Sequence, residues 1–169
     1  MDEPLYRLAV RVGRELHRRN LMIATAESCT GGWIGQAITM VPGSSEWFER
    51  GFIVYTYISK REMLGVKPRS LQRHGAVSEQ IAREMVEGAL RNSHAQTAVA
   101  VTGIAGPGGG TPDKPVGTVC FGWSSKPGKT VVETRRFRGD RDTVRRRAVV
   151  HALRGVLGIV AEREPQRAR

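Results

Sequence analysis

Two periods of apolar residues alternate along the chain. Between residues 5 and 19, Leu5, Leu8, Ala9, Val12 and Leu16 recur at helical spacing, with Arg7, Arg11, Arg14 and Arg18 on the other side. Residues 21–26 (LMIATA) are short, apolar and partly β-branched, which predicts a buried strand. The strand opens into Glu27-Ser28-Cys29-Thr30-Gly31-Gly32, and a helical pattern follows over 33–40. Pro42-Gly43-Ser44-Ser45 breaks the chain. Residues 51–56 (GFIVYT) predict the next strand and 59–64 a short helix. A third amphipathic helix starts after Ser78, an N-cap residue type, with a stripe of Ile81, Met85 and Ala89. Residues 97–101 (TAVAV) read as a continuous apolar strand. Residues 116–123 and 130–137 read as two antiparallel strands joined around Lys126-Pro127-Gly128-Lys129. Gly139-Asp140-Arg141-Asp142 starts a last helix with the stripe Val144, Ala148, Val149, Ala152, Leu153, Val156, Leu157 and Val160.

Helices alternating with buried strands, closed by a late hairpin, imply a three-layer α/β/α fold with a mixed central sheet. With neither internal repeat nor linker in view, residues 1–161 are expected to form one domain. The charged segment 162–169, which contains Pro165, is expected to fray. The length of 169 residues, 40% of them hydrophobic and 25% charged, suits that expectation. No apolar run reaches membrane-spanning length, and the amphipathic, acid-bearing start lacks the pattern of a secretory signal. Cys29 and Cys120 are the only cysteines, one in a polar motif and one in an expected buried strand. A disulfide is therefore not expected, and a reducing cytoplasmic location fits.

The formal net charge of +11 is uneven: residues 135–169 hold eleven arginines against four acids. Three readings fit that excess, namely a solvated basic face, attraction of a phosphate-bearing small ligand, or attraction of nucleic acid.

Four segments carry candidate chemistry. In AESCTGG, residues 26–32, a strand ends in small polar residues before a helix, which aims backbone N–H groups above the turn. Ser28 and Cys29 are both candidate nucleophiles there, against the alternative of a capped helix start with a buried Cys29. The segment VTGIAGPGGGTPDKPVGTV, residues 101–119, holds six glycines and three prolines between two strands. A shaped loop of this kind suits a backbone wall against a ligand, with Thr102 offering a hydroxyl. It has neither P-loop nor GxGxxG spacing, which disfavours ATP and NAD. In GDRDTVRRR, residues 139–147, Arg141 sits in the first helical turn, where a cation opposes the dipole. It either reaches toward an anion or pairs with Asp140 or Asp142. Lys60, after Tyr55, is either a solvated surface lysine or a desolvated general base for a serine. His17, His74, His94 and His151 are scattered, and no CxxC or HxxxH pair exists, so no metal site is expected.

AESCTGG, GSSEWFERGFIVYT, HGAVSE, TGIAGPGGG with KPVGTV, and GDRDTVRRRAV occur in this order across nearly the whole chain. Together they make the sequence similar to the CinA C-terminal domain family, whose enzymatic members are nicotinamide mononucleotide deamidases. The resemblance implies an α/β/α fold and hydrolysis of the nicotinamide carboxamide to nicotinate mononucleotide and ammonia, in pyridine-nucleotide recycling, with no metal or organic cofactor. It maps the motif serine onto Ser28, the tyrosine after the second strand onto Tyr55 and the lysine beyond it onto Lys60. The residue before GIAGP is Thr102, and the arginine of GDR is Arg141. One departure stands out: where family members commonly read Ser/Thr-Asn after the tyrosine, this chain reads Thr56-Tyr57, a phenol in place of a small amide.

The expected mechanism follows from that mapping. Neutral Lys60 takes the Ser28 proton, Ser28 attacks the carboxamide, and N–H groups at Thr30, Gly31 and Gly32 hold the oxyanion. Tyr55 positions Lys60 or relays a proton, Thr102, Gly103 and Gly106 line the ribose or nicotinamide, and Arg141, helped by Arg145, holds the 5′-phosphate. The competing readings are a nucleotide-binding domain without turnover and a basic, nucleic-acid-associated competence protein. Few aromatics and the absence of a nucleic-acid motif count against the second. Apolar helix surfaces allow a homo-oligomer.

Overall fold

Side-chain size alternates along the central strands, and this alternation sets how close each helical layer comes. The computed structural model describes residues 1–163. The elements are α1 (Glu3–Arg18), β1 (Ile23–Glu27), α2 (Trp33–Thr39), β2 (Phe48–Ile53), α3 (Tyr57–Leu64) and α4 (Pro68–His74). They continue with α5 (Glu79–Arg91), β3 (Thr97–Gly103), β4 (Thr118–Ser125), β5 (Thr130–Arg136) and α6 (Arg141–Ala161). The sheet order is β2-β1-β3-β4-β5, with β1 parallel to both β2 and β3, and β4 and β5 antiparallel. The mixed three-layer architecture is the one that the periodicity implies.

On one face Ile23, Val99, Val101, Val119 and Phe121 pack against α1, α2 and α6. On the other, Ala24, Ala26, Ala98 and Ala100 pack against the side of α3, α4 and α5. Small residues on this second face admit α5 closely: a Cβ on Gly122 of β4 would stand 2.6 Å from the carbonyl oxygen of Ala82.

Several elements depart from the sequence expectation, among them β4, which spans Thr118–Ser125 rather than 116–123. β2 spans Phe48–Ile53 rather than 51–56, because its parallel register runs from Ile23 beside Phe48 to Glu27 beside Ile53. Tyr55 and Thr56 thus lie beyond the strand. α3 starts at Tyr57 because Thr56 and Ser59 form a reciprocal capping box, each side chain accepting from the other's backbone N–H. α4 was not expected at all. It buries only Leu71, which leaves no stripe to read, and the Lys67 N–H that precedes it donates to Glu84 of α5, a cap 17 residues away. Within the expected fraying tail, Glu162 caps α6, and residues 164–169 lie outside the described residues. Among the described residues no helix is long and apolar enough to cross a membrane.

The seat of α3 depends on one glycine. A Cβ on Gly88 of α5 would come within 2.0 Å of the Leu64 carbonyl oxygen, which is backbone. Helix propensity alone favours alanine at position 88 by about 1 kcal/mol. The clash reverses that sign, since α3 must move to relieve it. Gly88→Ala is expected to lose about 2–3 kcal/mol in urea unfolding, whereas a stabilised variant would show that α3 is not seated on this contact.

Candidate active site

Three parallel strands end side by side, with β1 in the middle. Glu27 is in register with Ile53 of β2 and with Val101 of β3. The residues that follow, Ser28, Val54 and Thr102, therefore share one rim. Ser28 N–H donates to the Val101 carbonyl at 3.0 Å, and Val54 N–H donates to the Glu27 carbonyl at 2.9 Å. The carboxyl ends of parallel strands, where neighbours are taken from both sides, are where ligands bind in α/β sheets.

Lys60 enters this rim from α3. The capping box fixes the first turn, and the side chain, only 1% exposed, runs inward. Its Nζ lies 2.9 Å from Ser28 Oγ and donates to the Val54 carbonyl at 2.9 Å, with the Tyr55 carbonyl at 3.5 Å. Among the described residues no carboxylate pairs with it. Burial dominates, outweighing a smaller opposing contribution from Cys29, and pushes the ammonium down to about 8. Lys60 therefore exchanges its proton close to neutral pH, next to a hydroxyl.

Cys29, the other candidate nucleophile, is prepared in the opposite sense. Burial pushes its thiol up to about 12, so it stays protonated at neutral pH. The buried Ser28, at hydrogen-bond distance from an amine, is the better placed of the two candidates.

The turn after Ser28 distributes its backbone donors unequally. Gly31 N–H donates to the Ser28 carbonyl and is engaged. The first N–H of α2, at Trp33, donates to the Thr30 carbonyl, and the next two, at Ile34 and Gly35, donate to the Glu27 carboxylate at 2.8 and 3.0 Å. The helix start is thus capped from within, and the expectation that its N–H groups face a ligand does not hold there. The N–H groups of Thr30 and Gly32 donate to no acceptor among the described residues. Gly32 has φ +99°, and a Cβ there would stand 3.0 Å from Ile53, so the position requires glycine. Thr30 is fully buried; its hydroxyl donates to Glu27 at 2.7 Å, and its N–H alone among its donors has no acceptor among the described residues.

The remaining expected residues divide into rim and scaffold. Arg141 is exposed and donates to the Gly106 carbonyl at 2.8 Å and to the Tyr55 hydroxyl at 3.1 Å, tying α6, the glycine loop and the chain after β2 together. The Tyr55 phenol thus meets Arg141, and Tyr55 approaches Lys60 only through its carbonyl. Arg145 points at protein: Nε donates to the Cys29 carbonyl at 3.0 Å and Nη2 to the Thr30 carbonyl at 3.2 Å, with the Trp33 ring 5.3 Å away. Thr102 is buried and donates to the Ala76 carbonyl at 2.9 Å. Gly103 is small for the sake of β4, since a Cβ there would meet Val119 at 2.8 Å. Tyr57, the departure noted above, is half-exposed in the first turn of α3.

Glu27 was overlooked in the sequence, where it reads as part of the turn. The signal was available: a glycine at a helix N-cap cannot cap, so another acceptor must. Lys114 was overlooked too; its Nζ donates to the His74 carbonyl at 2.6 Å and holds the glycine loop to the segment before α5. Among the described residues no group of three His, Cys, Asp or Glu side chains gathers to hold a metal.

Comparison with known proteins shows which family the chain matches. The model of the CinA C-terminal domain matches residues 5–160. The nicotinamide-nucleotide amidohydrolase PncC of Escherichia coli strain K12 is 48% identical over 152 residues, covering 90% of this chain and 92% of its own length. A protein of the same name from Pseudomonas putida is 48% identical over 160 residues, covering 95% and 99%. Among solved structures, the competence/damage inducible protein CihA from Agrobacterium tumefaciens matches with TM-score 0.90 at 44% identity, covering 92% of this chain and 94% of that one.

The depressed Lys60 value has a consequence for stability. The folded state releases this proton near pH 8, the unfolded chain near 10.5. Between these values the unfolded chain holds more protons, so stability rises with pH. Lys60→Met removes that dependence. From pH 7 to 10.5 the wild type is expected to gain about 3 kcal/mol relative to the variant in paired urea titrations, and parallel curves would mean that Lys60 titrates as an exposed lysine does.

Proposed function

The chain belongs to the CinA C-terminal domain family, and on that premise we propose that it hydrolyses the carboxamide of nicotinamide mononucleotide through Ser28. The single observation that carries this reading is the 2.9 Å contact of Ser28 Oγ with a buried, uncompensated Lys60. Similarity to amidohydrolases over nearly the full length supplies the substrate class.

The chemistry follows from the positions. Lys60 Nζ takes the Ser28 proton as Oγ bonds to the carboxamide carbon. The carbonyl oxygen becomes an oxyanion, held by the free N–H groups of the turn, Thr30 and Gly32. As the carbon–nitrogen bond breaks, the Lys60 ammonium returns its proton to the departing nitrogen, which leaves as ammonia. Water then attacks the acyl-Ser28 ester, Lys60 accepts its proton, and nicotinate mononucleotide departs as Ser28 regains a hydrogen. No step requires a metal ligand or a redox group.

Arg141 is the phosphate ligand in this reading. Two of its N–H groups are fixed on Gly106 and Tyr55, which orients the remaining ones at the exposed rim. Tyr55 serves by holding Arg141 and by its carbonyl near Lys60. Thr102, Gly103 and Gly106 shape the wall from behind. In this reading the protein works in pyridine-nucleotide recycling, in the cytoplasm.

Ammonia release from nicotinamide mononucleotide is the test. Ser28→Ala is expected to lose at least ~10³-fold in kcat while still binding the nucleotide. Wild-type kcat/KM is expected to rise with pH through about 8, as Lys60 loses its proton. Full turnover by Ser28→Ala, or a flat profile between pH 7 and 9, would overturn the reading.

A further inference from the structure

A peptide unit is planar, with its C=O and N–H pointing opposite ways. Whatever holds the Cys29 carbonyl therefore also aims the Thr30 N–H. Arg145 holds it, with Nε on the Cys29 carbonyl at 3.0 Å and Nη2 on the Thr30 carbonyl at 3.2 Å. The guanidinium is itself fixed by the Trp33 ring and by Asp142, 3.5 Å from Nη1. From the other end, Glu27 takes the Thr30 hydroxyl at 2.7 Å. The same carboxylate caps α2 in place of Gly32, which has no side chain to do so. Thr30 is thus gripped through its own side chain and through the peptide before it, and its N–H is left without an acceptor.

We propose that Arg145 and Glu27 are positioning residues that fix the Thr30 N–H as an oxyanion donor. The inference rests on the Ser28 reading and reassigns Arg145 from the phosphate to the turn. Electrostatics alone does not account for the pair. Glu27 is negative and buried one residue from Ser28, where its charge opposes a developing oxyanion. Its contribution is therefore geometric: three hydrogen bonds that set one turn. A donor misplaced by a fraction of an ångström weakens the transition state and leaves the bound substrate untouched.

The test separates kcat from binding. Arg145→Lys keeps the charge but loses the two-carbonyl grip, and Glu27→Gln keeps the shape but turns an amide N–H toward the Gly35 N–H. With nicotinamide mononucleotide as substrate, each is expected to lose ~10- to 100-fold in kcat, with KM within about two-fold. In a Ser28→Ala background, calorimetric Kd and stoichiometry for the same nucleotide are expected to be unchanged, which a general loss of structure would not leave intact. Retention of kcat within about two-fold, or a Kd that rises in step with the loss of kcat/KM, would overturn the inference. The second outcome would return Arg145 to the phosphate. If Glu27→Gln does not fold, Thr30→Val removes only the hydroxyl from the same link: a loss confined to kcat supports the inference, and unchanged kcat overturns it. A wild type that releases no ammonia brings down the Ser28 reading and this inference with it, whereas an active wild type with unaffected variants brings down this inference alone.

Discussion

The contact between Lys60 Nζ and Ser28 Oγ is the constraint around which the structure is arranged. An ammonium buried without a carboxylate is costly, and the cost is relieved when the proton leaves. The protein keeps the amine where it can be relieved: against a hydroxyl and the Val54 carbonyl, at the end of the strand that supplies Ser28. Three features far apart in sequence maintain that placement. β1 lies between two parallel strands, the Thr56–Ser59 box starts α3 at the right residue, and Gly88 lets α3 rest on α5. Each is a packing or capping matter in itself, and together they put a buried amine beside a hydroxyl.

In the proposed chemistry, capping and catalysis compete for the same backbone groups in the turn that follows Ser28. A helix start needs acceptors for its first N–H groups, and an oxyanion needs donors from nearly the same residues. Glu27 resolves the competition by capping α2 from the preceding strand, so that Gly32 carries no cap and the Thr30 and Gly32 donors stay free. The arginine excess takes on a different meaning in this light. Arg145 and Arg147 hold carbonyls, Arg146 pairs with Asp2, and Arg141 ties the glycine loop to Tyr55. Much of the basic C-terminal helix is therefore engaged within the fold, two of its arginines at the site, and the charge count by itself is a poor argument for nucleic acid.

Much of this was legible in the sequence wherever it rests on local pattern. The stripe of α6, the Ser78 and Asp140 caps and the β4–β5 hairpin follow from spacing and residue type. Ser28 and Lys60 were readable as a candidate pair, but their distance was not, because they stand 32 positions apart with α2 and β2 between them. Glu27 and α4 escaped for one physical reason: in both cases a cap is supplied across the tertiary structure rather than by a neighbour. Arg145 was legible as a cation near a helix start, yet nothing local shows whether its partner is a ligand or a peptide carbonyl. Side chains that hold backbone are the part of a site that sequence patterns convey least.

The most direct measurement is the titration of Lys60 itself, by carbon-13 chemical shift at its Cε in selectively labelled protein, with Lys60→Met to assign the signal. The account predicts a midpoint near 8, set by burial and the absence of a carboxylate partner. A midpoint at the ordinary 10.5 would leave Lys60 charged at neutral pH, and the serine–lysine chemistry would then have no base.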